Sequence, residues 1–217
     1  MRSQFYLPLL ITFLSFTATA QWSFGLKTGS SLFTPQTTNQ TFVNRTIPCD
    51  EFRLGIQDVR NSIYVGAFGQ LDLDEQFFLN VEALYNAKQI TYTADYRFEK
   101  EGRSTDIVTY LERTRQIDVP VSIGVHLGEI DFHSGFVARY ILSNQNDMEY
   151  IVNYKETMRN VQFGFQTGIG FSIARAHFGL TYQMDFENYG AHLNINGENL
   201  DLSNCASRLI GTVGYRF

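Results

Sequence analysis

Apolar and polar residues alternate with a period of two along most of the chain. In the segment 209–217, for example, Leu209, Val213 and Phe217 fall on one face. A strand places successive side chains on opposite faces, so this pattern predicts β-strands with one apolar face. The alternation recurs in segments 22–27, 63–73, 77–86, 117–127, 132–142, 161–173, 177–186 and 208–217, which predicts eight strands.

The connections between these strands alternate in length. Residues 74–75, 128–131 and 174–175 form short turns, whereas residues 34–61, 93–106, 143–158 and 188–205 form long polar loops. Short turns on one side and long loops on the other are typical of transmembrane barrels, whose short turns are periplasmic and whose long loops are extracellular. We therefore predict an all-β fold, an eight-stranded antiparallel up-and-down transmembrane β-barrel with strands of about 9–11 residues.

A water-soluble, lipocalin-like barrel is the alternative that the periodicity leaves open. Such a barrel encloses its apolar face and exposes the polar face to water. Here the polar face is rich in glycine, at Gly66, Gly135, Gly168 and Gly179 among others. Glycine weakens a solvated strand, but inside a narrow barrel it leaves room for long polar side chains. The composition of the polar face therefore favours the membrane barrel.

The first twenty residues resemble a secretory signal peptide. Arg2 gives a cationic start, residues 5–16 are mostly apolar, and Ala18 and Ala20 fit the small-residue cleavage pattern. The apolar run is shorter than the about 20 residues that a transmembrane helix needs, although an N-terminal anchor helix remains the alternative. We predict a cleaved signal peptide over residues 1–20 and a barrel domain over residues 21–217.

Composition and charge exclude several classes of protein. Lys and Arg number 17 and Asp and Glu number 22, which gives a net charge of −5 and argues against binding to nucleic acid. Two cysteines exclude a disulfide-dense scaffold and a four-cysteine zinc module. A mean hydropathy of −0.16 excludes a bundle of membrane helices.

Two segments resemble a known family. The chain ends with Gly214, Tyr215, Arg216 and Phe217, similar to the last strand of bacterial outer-membrane barrels. Residues 117–124 resemble the strand "(L/I)-E-(I/V)-P-(L/V)-x-(L/I)" of the PorT-like outer-membrane β-barrel family, with Asp118 where that family usually has Glu. The resemblance implies an eight-stranded barrel in the outer membrane of a Gram-negative cell.

The inward face of the predicted barrel carries both signs of charge. Buried charges need partners, so we expect an ion-paired, hydrogen-bonded network that fills the lumen. A narrow gated solute path and a metal site at the inward histidines are weaker alternatives. We predict no catalytic, cofactor-binding or metal-binding residue. The predicted network includes Lys27, Glu82, Asp118, His126, His133, Arg139, Asp185 and Arg208.

The two cysteines fall in the first and last long loops, at Cys49 and Cys205. Barrel closure makes these loops neighbours, and the cell envelope is oxidising, so we predict a disulfide bond between them.

The long loops carry whatever recognition the protein performs. Tyr150, Ile151 and Tyr154 suggest strands that extend past the membrane, whose edges either pair with partner strands or remain solvated. We expect a non-enzymatic barrel with a surface binding, adhesion or structural role. The alternatives are an accessory subunit of a secretion or motility machine and a small-solute channel. Expected partners are outer-membrane lipid or lipopolysaccharide and envelope proteins that contact the loops.

Overall fold

The computed structural model describes most of the chain. It covers residues 21–32, 39–42, 51–98, 104–151, 154–188, 192–195, 198–199 and 205–217. The predicted signal peptide, residues 1–20, and Cys49 lie outside these residues. Both the leader and the Cys49–Cys205 bond therefore remain predictions.

The described chain is almost entirely strand. One 3-10 helix, Asp147–Tyr150, follows β6. The strands are β1 Gln21–Leu32, β2 Asn39–Phe42, β3 Glu51–Asp72, β4 Phe77–Phe98, β5 Ser104–Leu127, β6 Ile130–Asn146, β7 Tyr154–Glu156, β8 Val161–Ile173, β9 Ala176–Asn188, β10 Leu193–Ile195, β11 Glu198–Asn199 and β12 Cys205–Arg216.

Eight of these strands form a closed barrel. Their order is β1-β12-β9-β8-β6-β5-β4-β3, and β3 pairs with β1 to close the ring. Leu26 of β1 lies opposite Tyr215 on one side and Ala67 on the other. Each neighbouring pair is antiparallel, so the predicted up-and-down topology with eight barrel strands is confirmed.

The outer face of the barrel is apolar and exposed. Large apolar side chains that a soluble protein would bury are about half exposed here, as a lipid-facing surface requires. Among the described residues no helix is long and apolar enough to cross a membrane. The aromatic side chains nearest the short-turn end, which form a girdle there, are Trp22, Phe24, Phe77, Phe132, Phe171, Phe178, Tyr215 and Phe217.

Three strands are much longer than the sequence pattern predicts. β3 and β4 each have 22 residues and β5 has 24, whereas about 9–11 suffice to cross the bilayer. The assignment of residues 51–61, 93–98 and 104–106 to loops was therefore wrong. Residues 39–42 and 143–146, also predicted as loop, belong to β2 and β6. We call residues 51–60, 89–98 and 104–113 the raised sheet, because they continue the barrel wall on the long-loop side.

The raised sheet is stable because its inner face is covered. The 3-10 helix and the small sheet β11-β10-β7 fold over it and form a hydrophobic core with it. We call the segments 147–151, 154–156, 193–195 and 198–199 the cap. Each fully buried apolar side chain contributes roughly 1.5–3 kcal/mol by leaving water. The buried members are Leu54, Ile56, Val59, Ile90, Tyr92, Ala94, Met148, Ile151, Leu193 and Ile195.

The cap corrects the interpretation of the third long loop. Residues around Ile151 do not prolong β6 or β8 as raised strands, because Asp147–Tyr150 is helical and β7 pairs with β10. Ile151 is only 7% exposed, and its side chain belongs to the cap core. The apolar residues in this loop thus bury the raised sheet instead of offering an edge.

Candidate functional site

The interior of the barrel holds aromatic rings as well as polar groups. A Cβ atom on Gly168 would lie 2.7 Å from the His133 ring, and one on Gly124 would overlap the ring of Phe78. The inward glycines thus make room for large side chains, as predicted. Aromatic and imidazole rings occupy most of this space, however, and not the Lys, Arg, Glu and Gln side chains that the sequence suggested.

Four of the predicted lumen residues form one charge cluster at the centre of the barrel. Arg139 donates two parallel hydrogen bonds to Asp185, both 2.8 Å long, and its Nε donates to Asp118 at 3.0 Å. Nη2 of Arg208 lies 3.6 Å from an oxygen of each aspartate. Each buried carboxylate of the cluster therefore has cations beside it, as buried charges require.

Neutral side chains complete this cluster. Gln116 donates to Asp118 at 2.8 Å, and Nε of Arg208 donates to Gln183 at 2.6 Å. The Arg208 guanidinium also lies 5.9 Å from the centre of the buried Tyr64 ring. Sequence reasoning did not single out these residues. The only signal was that they fall at alternate positions on the polar faces of β3, β5 and β9, which predicts that they point inward.

A second ion pair lies toward the short-turn end. Nζ of Lys27 on β1 contacts Glu82 on β4 at 2.6 Å, and Asn80 donates to the same carboxylate oxygen at 2.6 Å. Pro120, in the strand that carries the family resemblance, lies beside Glu82 where the β4–β5 ladder is interrupted. Proline has no N–H to donate, which accounts for this gap.

The three inward histidines do not converge on one point. Nδ1 of His126 lies 2.5 Å from Asp131, and its Nε2 lies 3.4 Å from Asp72. His177 lies 3.9 Å from Asp131, whereas His133 contacts Thr181 at 3.3 Å. The sequence analysis missed Asp131 as a partner. Its position beside the β5–β6 turn was the available signal.

The groups near Asp131 do not form a catalytic relay. The Ser172 hydroxyl lies 3.1 Å from Nδ1 of His177 and 3.5 Å from Asp131. A serine–histidine–aspartate relay needs the hydroxyl on one ring nitrogen and the carboxylate on the other. Here both approach Nδ1. Within the described part of the chain, no three His, Cys, Asp or Glu side chains are grouped to hold a metal ion.

A buried acid of the raised sheet contacts the residue that precedes β10 of the cap. Glu112 is 1% exposed, accepts a hydrogen bond of 2.7 Å from Tyr92, and lies 3.0 Å from Nε2 of His192. Burial alone would raise the pKa of the Glu112 carboxyl. The charge of His192 and the hydrogen bonds lower that pKa instead, to about 2. The sequence analysis gave His192 no role.

The raised sheet leaves one edge without a strand partner among the described residues. β6 pairs with β5 only over residues 112–127 of β5, so residues 104–111 pair with β4 alone. Along this edge the side chains of residues 106–109 are exposed, with Ile107 at 69% and Val108 at 37%. Edges this long and apolar are usually covered or blunted, because they invite pairing with another strand.

Comparison with known protein families identifies the barrel. Residues 12–202 match the model of the outer membrane protein beta-barrel domain. The chain belongs to this family. It is therefore an integral outer-membrane β-barrel, with the short turns in the periplasm and the raised sheet and cap outside the cell. A comparison with curated proteins gives no match.

Proposed function

We propose that this outer-membrane β-barrel is a surface-binding protein that captures an extended segment of another polypeptide at the β5 edge of its raised sheet. The observation that supports this proposal is the open edge at residues 104–111, held above the membrane by the cap core. An extended peptide that adds a strand to such an edge gains main-chain hydrogen bonds, and its side chains supply specificity.

The direction of the free backbone groups follows from the register. The N–H of His126 donates to Gln76 on the β4 side, at 2.7 Å. The β4–β5 register has no shift between Val125 and Ser104. Because backbone groups alternate in direction along a strand, the N–H and C=O groups of even-numbered residues in β5 therefore point toward β4. The N–H and C=O groups of Thr105, Ile107 and Thr109 therefore point to the open edge.

The partner is more consistent with a peptide segment than with a second barrel. Two copies in one membrane are related by an axis along the membrane normal, so their β5 strands run in the same direction. Such copies pair only in parallel, which is slightly less stable per residue. A flexible segment of another protein pairs in the antiparallel direction that the rest of the sheet uses.

The interior supports a binding role over transport or catalysis. Arg139 and Arg208 occupy the centre of the lumen together with Asp118 and Asp185, and their side chains leave 10% or less of their surface exposed. An eight-stranded barrel has little room beyond its own side chains. We propose that the lumen is a structural plug and that the protein has no enzymatic activity.

A backbone substitution tests this proposal. Thr109→Pro removes one N–H from the open edge without affecting a bond to β4, whereas Thr109→Val changes the side chain and keeps the N–H. Tagged proteins are purified from outer membranes in mild detergent, and their co-purifying proteins are identified. We expect a partner that binds wild type and Thr109→Val but is lost from Thr109→Pro. A partner that Thr109→Pro retains would contradict strand addition.

The accessory-subunit role is the second candidate, supported by the PorT-like strand over residues 117–124. This role predicts stoichiometric co-purification with other envelope proteins. It also predicts that a variant in which a two-residue turn replaces residues 91–111 keeps those partners. Loss of all partners from this variant favours the surface-binding role instead. Recovery of the barrel alone, from both wild type and variant, would contradict both candidates.

A further inference from the structure

Three arginines lie close together on the outer face of the barrel, where β3, β4 and β5 rise above the other strands. Arg60 on β3 is opposite Gln89 on β4, which in turn is opposite Arg113 on β5. Arg115 lies one outward row lower on β5, opposite Ala87. Residues directly opposite one another share a face of the sheet, so all three guanidinium groups project from the outer wall.

These arginines mark the upper limit of the lipid-facing surface. The next outward row below Arg115 consists of Val65, Tyr85, Ile117 and Tyr140. Tyr85 is 42% and Tyr140 is 51% exposed, as expected for aromatic side chains at a membrane interface. Charged side chains directly above that row lie at the depth of the headgroups of the outer leaflet.

The three guanidinium groups are exposed and form no ion pair with a described residue. This distinguishes them from the inward cations Lys27 and Arg139, each of which contacts a carboxylate. Asp58, the nearest outward acid on β3, lies one row above, opposite Thr91. A cluster of three cations without an ion-paired acid among the described residues is notable in a chain whose net charge is −5.

Their spacing suits a headgroup with more than one phosphate. Arg113 and Arg115 are two residues apart on one strand, about 7 Å, and Arg60 is two strands away, about 10 Å. Arginine is the side chain best suited to bind phosphate with two hydrogen bonds. Arg115 also lies opposite Ser143, which lines a groove of about 360 Å³. The groove combines the apolar side chains of Leu142 and Met158 with the polar side chains of Asn144 and Glu156.

We propose that Arg60, Arg113 and Arg115 bind the phosphorylated headgroup of an outer-leaflet glycolipid of the lipid A type. The groove beside Arg115 holds part of that lipid's sugar or acyl chain. Basic residues at a membrane interface recognise anionic lipids in this way. This site is separate from the β5 edge, so it does not depend on the surface-binding role.

The test compares lipids and arginine variants on the full-length protein. Detergent-solubilised protein is titrated with diphosphorylated lipid A and with its chemically dephosphorylated form, and bound lipid is counted by native mass spectrometry. We expect Arg60→Gln/Arg113→Gln/Arg115→Gln to weaken binding of the diphosphorylated lipid at least tenfold. For wild type we expect the dephosphorylated lipid to bind as weakly, and the diphosphorylated lipid to lose affinity as salt is raised.

A matched control separates this site from general charge effects. Arg175 is also exposed but lies in the periplasmic turn between β8 and β9, so Arg175→Gln should bind the lipid like wild type. Heat-dependent gel migration confirms that each variant is folded. Two results would overturn the site: unchanged binding by the folded triple variant, or an equal loss in Arg175→Gln. Equal binding of the two lipids by wild type would also overturn it.

Discussion

The central charge cluster gives the sharpest prediction, at Arg139. Its guanidinium makes two hydrogen bonds of 2.8 Å to Asp185 and one of 3.0 Å to Asp118, and its side chain is 4% exposed. Arg139→Met removes the charge but keeps a long side chain that fills most of the space. The substitution leaves two buried carboxylates that keep Arg208 as a cation 3.6 Å away.

The expected loss follows from the number and type of bonds broken. Hydrogen bonds to charged groups contribute about 1.5–3 kcal/mol each, so three bonds set an upper limit near 9 kcal/mol. Arg208 moves toward the unpaired carboxylates and recovers part of that. Removing one partner from a buried ion pair typically costs about 3–5 kcal/mol. We therefore expect Arg139→Met to lower the free energy of unfolding by about 3–5 kcal/mol.

Urea unfolding of the barrel in lipid vesicles measures this loss as a lower midpoint at unchanged slope. Two further variants test the cause. Arg139→Lys keeps the charge but not the paired geometry, and should recover only part of the stability. Adding Asp185→Asn to Arg139→Met removes one of the unpaired charges and should restore stability relative to the single variant. A loss below about 1 kcal/mol in Arg139→Met, with no rescue by the second substitution, would refute the reasoning.

Two further predictions concern the cap. Leu193→Ala removes a fully buried side chain from the cap core and should cost about 2–5 kcal/mol. Hydrogen exchange should then speed up over residues 192–195 and 147–151 but not over β8 and β9, and uniform acceleration would contradict a separate cap core. The lowered pKa of Glu112 stabilises the cap above pH 4.5, and this contribution disappears as pH falls toward 2. Exchange over residues 192–195 should therefore accelerate in that window for wild type, and an equal acceleration in Glu112→Gln would contradict the assignment.

The barrel itself was predictable because its strands follow a local rule. Alternation along β8, β9 and β12 reflects two environments, lipid outside and a packed lumen inside. Whether a residue is apolar or polar therefore indicates which face of the strand it occupies. The same rule placed Lys27, Asp118 and Arg208 inside. Their pairing was not predictable, because partners such as Arg139 and Asp185 are 46 residues apart and meet only through the register across β8.

The raised sheet was not predicted because its alternation follows another rule. Above the membrane the outer face is polar and the inner face is apolar, as at Ile90 and Tyr92, which reverses the pattern below. Residues 93–106 therefore looked like a loop. His192 had no signal either, since its contact with Glu112 exists only once the cap has folded over the sheet.

The sequence alone determined the membrane-spanning barrel, the polar lumen and the sidedness of turns and loops. Those features depend on the period of hydrophobicity and on connection length, both of which are local. The tertiary structure decided which charges pair, how far β3–β5 rise above the membrane, what covers their inner face, and where three arginines align. Those features arise from register and from packing between distant segments, which no stretch of sequence encodes by itself.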